Sequence, residues 1–323
     1  MNNPIETMRN TAYILSLIAL LTVTVFCSCE RKALLLENTA ADLHLTVETE
    51  DPVLGPLDAG NTYRSLSFDA AKDSQDGYSF TGPEGGRISV RAGEKAVIVH
   101  TFGCEAAYVA GEQSLQGAHV TTNRADYQTQ SLWAETLSLS EAAAPWDTLS
   151  VRWEPDHMWA ASTGRLSVPR RDEGDSFGLE ATARPVFRTL RVFLTDVEGM
   201  PYIASATAFI AGASAGRRLV DDTALAERCA VQMPMYRASQ TVLIGQAAVF
   251  GFGEGPVRLF LLLTDTGKGK HLYEYDITEE CHSDVRVMTL YGGIVVEEPE
   301  NTGGGGFLPS LEDWNTKVVP VRL

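Results

Sequence analysis

The chain has 323 residues, 44% hydrophobic and 21% charged, which is ample for a sizeable core and unlike a disordered or fibrous protein. Asp and Glu outnumber Lys and Arg by 42 to 26, and the net charge of −16 argues against sequence-independent nucleic-acid binding, which needs basic surface to displace phosphate counterions. The length is most economically read as two domains.

The first element in chain order is an export signal. Arg9 precedes an uncharged apolar run from Ala12 to Phe26, and small residues follow at Cys27 and Ser28, the order of a secretory leader and its cleavage site. The run is short for a spanning helix, which needs about 20 residues. A lipoprotein peptidase admits only small side chains beside the cut. Cys29 meets that need with Ser28 and Cys27 before it, whereas Cys27 would follow bulky Phe26. Phe26, three before Cys29, stands where Leu is usual. We therefore expect residues 1–28 to be a lipoprotein signal peptide and Cys29 to carry palmitate and other acyl chains. Several chains at about 0.8 kcal/mol per buried methylene make such an anchor effectively permanent. The C-x-C pair has no zinc-spaced partners and is not the C-x-x-C of a redox site.

After the tether ERK, strands succeed one another between turns. DLHLTVETE (42–50) places Leu43, Leu45 and Val47 on one face. RISVRAGEKAVIVHTFG (87–103) reads as two strands about a turn at Ala92-Gly93-Glu94. Short strands follow at 148–153 and 164–169, then FRTLRVFLTDV (187–197), which PYIASATAFIAG (201–212) is placed to meet antiparallel after the turn at 198–201. Further strands are expected at 240–253, 256–265, 271–277 and 284–296, and at the closing TKVVPVRL. DDTALAERCAVQM (221–233) is the best helix candidate, either one short helix or an irregular crossover. This pattern predicts an all-β protein of two tandem antiparallel β-sandwich domains. Charge, Pro and Gly in VPRRDEGDSFG (168–178) place their division there, giving domains at 29–170 and 171–323, and EEPENTGGGG (297–306) reads as an exposed loop.

Little in the chain points to chemistry. The six histidines have no metal spacing. GFGEGP (251–256) and GKGK (267–270) lack the spacing of phosphate loops and read as hairpin turns. No G-x-S-x-G is present, and the acidic pairs Asp221-Asp222, Glu279-Glu280 and Glu297-Glu298 lack the alternating ligands of a calcium loop, so a solvated face is the better reading. Cys104, Cys229 and Cys281 are too scattered for a disulfide framework and read as buried thiols. We expect neither catalysis nor a cofactor. Trp153 and Trp159 bracket EPDHM: they are the candidate ligand-binding residues as a sugar-stacking platform, or else they pack the edge of a sandwich, the reading we favour.

Together these features resemble a family. The lipidated Cys followed by Glu-Arg-Lys, the strands around AGEK leading to IVHTFG, PDHMWAA (155–161), ATAFIAGASAG (206–216), and the closing Gly306-Phe307 and Glu312-Asp313-Trp314 are similar to fimbrillin-like outer-membrane lipoproteins of Bacteroides-type bacteria. More distantly, they resemble the anchoring subunits of fimbriae. The resemblance implies two transthyretin-like sandwiches, no catalysis, a cell outer membrane location through Cys29, and fimbrial subunits as partners by β-strand addition. It favours an anchor or accessory subunit over a shaft subunit, since no N-terminal strand is released at a basic site. Arg170-Arg171 is dibasic but lies between the expected domains, where a cut would part them. The alternative is a glycan- or protein-binding surface lipoprotein working beside a nutrient importer, and the CERK start leaves both membrane faces open.

Overall fold

The computed structural model describes residues 38–48, 50–51, 55–56, 62–169, 176–281 and 287–298. The leader, Cys29, Arg170-Arg171, the glycines of the expected loop and the closing TKVVPVRL lie outside them. The first half contains β1 (Asn38–Val47), the two-residue β2 (Glu50–Asp51) and β3 (Gly55–Pro56), β4 (Tyr63–Asp69), β5 (Ser74–Thr81) and β6 (Gly85–Arg91). It continues with β7 (Gly93–Thr101), β8 (Ala107–Ala110), β9 (His119–Thr122), helix α1 (Tyr127–Ser138), β10 (Val151–Arg152), β11 (Trp159–Val168) and β12 (Ser176–Pro185). The second half contains β13 (Arg188–Glu198), β14 (Ile203–Ser214), β15 (Gly216–Arg218), β16 (Arg228–Arg237), β17 (Leu243–Val249), β18 (Arg258–Asp265), β19 (Lys270–Asp276), α2 (Thr278–Cys281) and β20 (Val287–Val295).

Two curled sheets dominate. The first has the order β5-β4-β7-β11-β12-β1-β6. Its two end strands follow one another in the chain through a turn closed by Gly82 and Gly85, and Ser89 N–H donates to Ser79 Oγ at 3.2 Å. The sheet thus folds over on itself around Leu43, Ile88, Val97, Val99, Trp159 and Leu179. The second has the order β19-β18-β14-β16-β17-β13-β20, and its end strands meet where Tyr273 Oη donates to the Val295 carbonyl at 2.9 Å. Leu190, Val192, Ile210, Val231, Leu259 and Leu261 fill it. The protein is therefore all-β, with two tandem sandwiches. Most ladders are antiparallel, but β1 runs parallel to β12, β13 to β20, and the short β10 to β16.

The sheets are also buried on their outer faces. Ala96, Val97, Ile98 and Val99 are all buried, the odd pair facing the core of the first sandwich and the even pair facing a second cluster with Leu66, Phe68, Leu115 and Phe250. A strand covered on both sides reads as a continuous apolar run, which explains AVIV. The segment between β7 and β11 supplies this cover and then leaves the first sandwich altogether. Its β9 pairs with β15, its β10 with β16, and α1 lies on the outer face of the second sheet. There Trp133 meets Phe209 and Phe260 at ring separations of 5.2 and 5.3 Å, and Trp146 meets Phe260 at 6.0 Å.

Several expected pairings differ. Strands β6 and β7 flank the expected turn, with Gly93 at φ +117°, but they do not pair with each other: β6 joins β1, and β7 crosses to β4 and β11. Likewise β14 does not return along β13. It lies between β16 and β18, because Phe209–Ser214 is buried on both faces and needs a central position. The expected helix at 221–233 gives way to β16, whose Cys229, Val231, Met233 and Met235 point into the core at strand period. Tertiary pairing overrides the helix preference of its Ala, Leu and Glu. GKGK makes the β18–β19 hairpin turn, whereas GFGEGP links β17 and β18, which are not neighbours. β12, beyond the expected division at 170, belongs to the first sheet, and the second begins at β13. Strands on both sides of Arg170-Arg171 pair within one sheet, so a cut there leaves the pieces laced together, contrary to the parting expected.

Candidate functional site

The first sheet has a seam. Among the described residues, β11 and β12 pair only at Trp159↔Pro185 and Ala160↔Arg184. Beyond that point they diverge: β11 follows β7 and β12 follows β1, each pairing on one side only among the described residues. A cleft of about 820 Å³ opens along the divergence. Its floor is the outward face of β1 and β12, where His44, Thr46, Glu180 and Thr182 alternate with the core residues Leu43, Leu45, Leu179 and Ala181. One wall is β11 at Ala160–Thr163, and the other is the loop Leu219–Asp222 that follows β15. Asp222 in that loop is ion-paired with Arg217, and Asp221 lies 3.5 Å from Arg218. A strand edge that carries no ladder on this side among the described residues, beside a polar, strand-length floor, is suited to take up an extended peptide segment through ladder hydrogen bonds.

WEPDHMW does something else. Trp159 is fully buried, its Nε1–H donates to the Glu48 carbonyl at 2.7 Å, and its ring meets Phe187 edge-on at 5.8 Å. It offers no face to a ligand. Trp153 is 41% exposed, so the structure does not bring the two rings together as a platform. The residues between them fasten the chain. Glu154 Oε1 accepts from Ala248 N–H of β17 at 2.6 Å, and Asp156 Oδ2 accepts from the N–H groups of Ala106 and Ala107 at 2.6 and 2.8 Å. His157 stacks on Phe187 at 4.7 Å. Burial, reinforced by the charge of Asp156, pushes the Glu154 carboxyl up in pKa, while burial pushes the His157 imidazole down. The motif is a bracket between the sandwiches.

A second surface carried no motif. Tyr78 and Phe80 project from β5 and continue to Phe102, with ring separations of 6.0 and 5.0 Å and exposures of 60, 49 and 49%. Arg64, held by Glu112 through two hydrogen bonds at 2.6 and 3.0 Å, lies over Tyr78. The Tyr-x-Phe spacing of GYSF put both rings on one strand face, a signal visible in the sequence once that segment is recognised as a strand.

Cys229 and Cys281 are buried and Cys104 is half-buried; all three are free thiols. Burial pushes the Cys104 and Cys229 thiols up to about 11 and about 12. Among the described residues no three His, Cys, Asp or Glu side chains converge as metal ligands, and no helix is long and apolar enough to cross a membrane.

The family model DUF5119, a domain of unknown function, matches residues 28–235. The chain belongs to the DUF5119 family. No curated protein matches it significantly. Among solved structures, a candidate adhesin from Bacteroides ovatus superposes with a TM-score of 0.62 at 14% identity, covering 82% of this chain and 94% of that one. The fimbrial anchor protein Mfa2 of Porphyromonas gingivalis gives 0.53 at 8% identity, covering 79% and 90%. A protein of Bacteroides thetaiotaomicron described as a candidate polysaccharide binder gives 0.51 at 8% identity, covering 80% and 92%. This DUF5119 protein thus has the fimbrillin-like fold that its sequence resembles.

Proposed function

We propose that this DUF5119 protein is a non-enzymatic, lipid-anchored subunit of a cell-surface fimbrium or adhesin, held in the outer membrane through Cys29 and acting as an anchor or accessory component. The observation that carries the reading is the seam between β11 and β12, a strand edge lined by a polar cleft, which suits uptake of a strand from a fimbrial subunit. The fold shared with a fimbrial anchor protein supports it. The test is pull-down of the tagged protein from outer membranes, comparing wild type with Cys29→Ala. Fimbrial subunits should accompany the wild type, and Cys29→Ala should leave the membrane fraction. Failure of any fimbrial subunit to co-purify would count against the fimbrial role, and retention of Cys29→Ala would count against the anchor.

A second reading, a glycan-binding surface protein, is favoured by the exposed rings of Tyr78, Phe80 and Phe102 more than by Trp153. Glycan-array binding that is lost in Phe80→Ala would support it, and no binding to any glycan would remove it.

A further inference from the structure

Both sandwiches share one topological feature. Among the described residues, the first strand of the first sheet lies beside, and parallel to, its last, and in the second sheet β13, the first strand after the short β10, lies beside and parallel to β20, its last. β1 runs parallel to β12 from Ala40↔Ser176 to Val47↔Ala183, and β13 runs parallel to β20 from Thr189↔Val287 to Glu198↔Val295. Parallel ladders are slightly weaker per residue than antiparallel ones, so static stability alone does not favour the arrangement.

Its consequence lies in how the ladders carry tension. A pull along the chain acts on the N-terminal end of β1 and the C-terminal end of β12. In a parallel pair these points lie at opposite ends of the ladder, so the strands are drawn past one another and the hydrogen bonds between them are loaded together. Were the pair antiparallel, both points would lie at one end and the bonds would break one at a time. The same holds for β13 and β20.

Two further observations fit this mechanics. The entering strands are interior: β1 is also paired with β6 from Asn38↔Arg91 to His44↔Gly85, and β13 with β17 from Arg188↔Val249 to Leu194↔Leu243. Sliding either strand out disrupts two ladders and drags Ala41, Leu43 and Leu45, or Leu190, Val192 and Leu194, from the core. Between Pro185 and Arg188, moreover, the connection is buried. Val186 and Phe187 are each 4% exposed, and Phe187 is wedged by His157 and Trp159. Load leaving the first ladder pair passes to the second through this connection with no slack loop, alongside the segment between β7 and β11 that also pairs across.

We infer that the protein is a force-bearing element in which two shear clamps in series, β1/β12 and β13/β20, resist extension between its N- and C-terminal ends. The inference rests on strand topology and holds whether the partner is a fimbrial subunit or a glycan. Single-molecule force spectroscopy tests it by pulling the full chain between its two termini and, separately, between handles at Glu48 and Arg184. Those residues lie at the same end of β1 and β12, with Arg184 Nε 3.1 Å from Glu48 Oε1, so pulling there unzips the ladder that the termini shear. Exposed pairs contribute little, so the handles leave the equilibrium denaturation midpoint unchanged. Forced unfolding follows the unfolding barrier, so the rupture force between the termini should be several-fold higher at the same loading rate. Equal forces in the two geometries, or low-force stepwise unravelling between the termini, would overturn the inference.

Discussion

Trp159→Ala separates a core role from a ligand role for the WEPDHMW segment. The indole has no exposed surface, fills the first sandwich against Phe187, and donates to the Glu48 carbonyl at 2.7 Å. Removing a fully buried Trp costs about 3–5 kcal/mol through lost burial and the cavity left behind. The hydrogen bond accounts for about 1 kcal/mol on the usual scale. Trp159→Phe keeps a ring against Phe187 but loses the N–H and part of the volume, and should cost about 1–2 kcal/mol. Trp153→Ala, at a 41% exposed site, should cost about 0.5 kcal/mol or less. Urea denaturation reads all three as shifts in midpoint at constant slope. Because domains are stable by about 5–15 kcal/mol, Trp159→Ala should still fold, with its midpoint far lower than that of wild type. A Trp159→Ala cost under about 1 kcal/mol, or one no larger than that of Trp153→Ala, would refute the packing argument.

Lys95 is 3% exposed, with Nζ 2.5 Å from Asp76 Oδ2 and 3.6 Å from Asp69 Oδ2. Lys95→Met strands buried carboxylate charge and should destabilise by about 3–5 kcal/mol, most of it recovered in Lys95→Met/Asp76→Leu; no recovery in that double-variant melt would contradict the ion-pair account. Asp156→Ala leaves the Ala106 and Ala107 N–H groups without their carboxylate and should cost about 2–3 kcal/mol in denaturation, whereas an unchanged midpoint would deny the bracket its role. Burial holds the His100 imidazole below its ordinary value of about 6.5, helped by the charge of Arg64 and opposed by a hydrogen bond to Thr101 and by Glu112; His157 is lowered by burial as well. A depressed pKa gives stability that is present above about 6.5 and lost as pH falls, so melting temperature should drop through the mildly acidic range, partly offset by Glu154, whose raised pKa acts in the opposite sense. His100→Gln should flatten that profile, and an identical profile would exclude His100 as its source. Finally, a protease site engineered between Pro169 and Ser176 should yield two pieces that co-elute until denaturant is added, since β11 and β12 on either side stay paired with β7 and β1; separate elution without denaturant would show that the ladders do not hold them.

What could be read from the residues was local. Leu43 and Leu45 alternate with His44 and Thr46 because one face of β1 is core and the other is the cleft floor, and period-two patterning reports that directly. What could not be read was which strands meet. AVIV and AFIAGAS both say that a strand is covered on two sides, but not by what: AVIV is covered largely by the segment that follows it, and AFIAGAS by Trp133, Leu137 and Trp146, far away in sequence. Helix α1 was legible in part: Asp126 caps it by accepting from Thr129 N–H at 2.7 Å, and Thr129, Trp133, Thr136 and Leu137 share its buried face. The seam had no sequence signature, because it arises where an ordinary β11–β12 hairpin parts with its stem joined at Ala160 and Arg184 and its arms on opposite layers. Trp153 and Trp159 look alike in sequence, and only the strand start at Trp159 decides that one faces the core.

The excursion between β7 and β11 joins the two sandwiches a second time. A segment that left the first sheet only to cover its outer face would leave a hinge at Val186. This one continues into the second sandwich, where β9 and β10 add ladders to β15 and β16 and Trp133 and Trp146 take Phe209 and Phe260. The chain therefore crosses between sandwiches by two routes, the one through Phe187 and the inserted one through α1; His157, stacked on Phe187, ties them to each other, and Glu154 holds the inserted segment to β17. A hinge needs a single flexible crossing, and two crossings held apart remove the rotation it would allow. The wall of the cleft from Leu219 to Asp222 is consequently fixed relative to its floor on β1 and β12. A strand entering the seam would meet a preformed slot, so its binding loses little to reorganisation, and tension on it would reach the whole molecule at once.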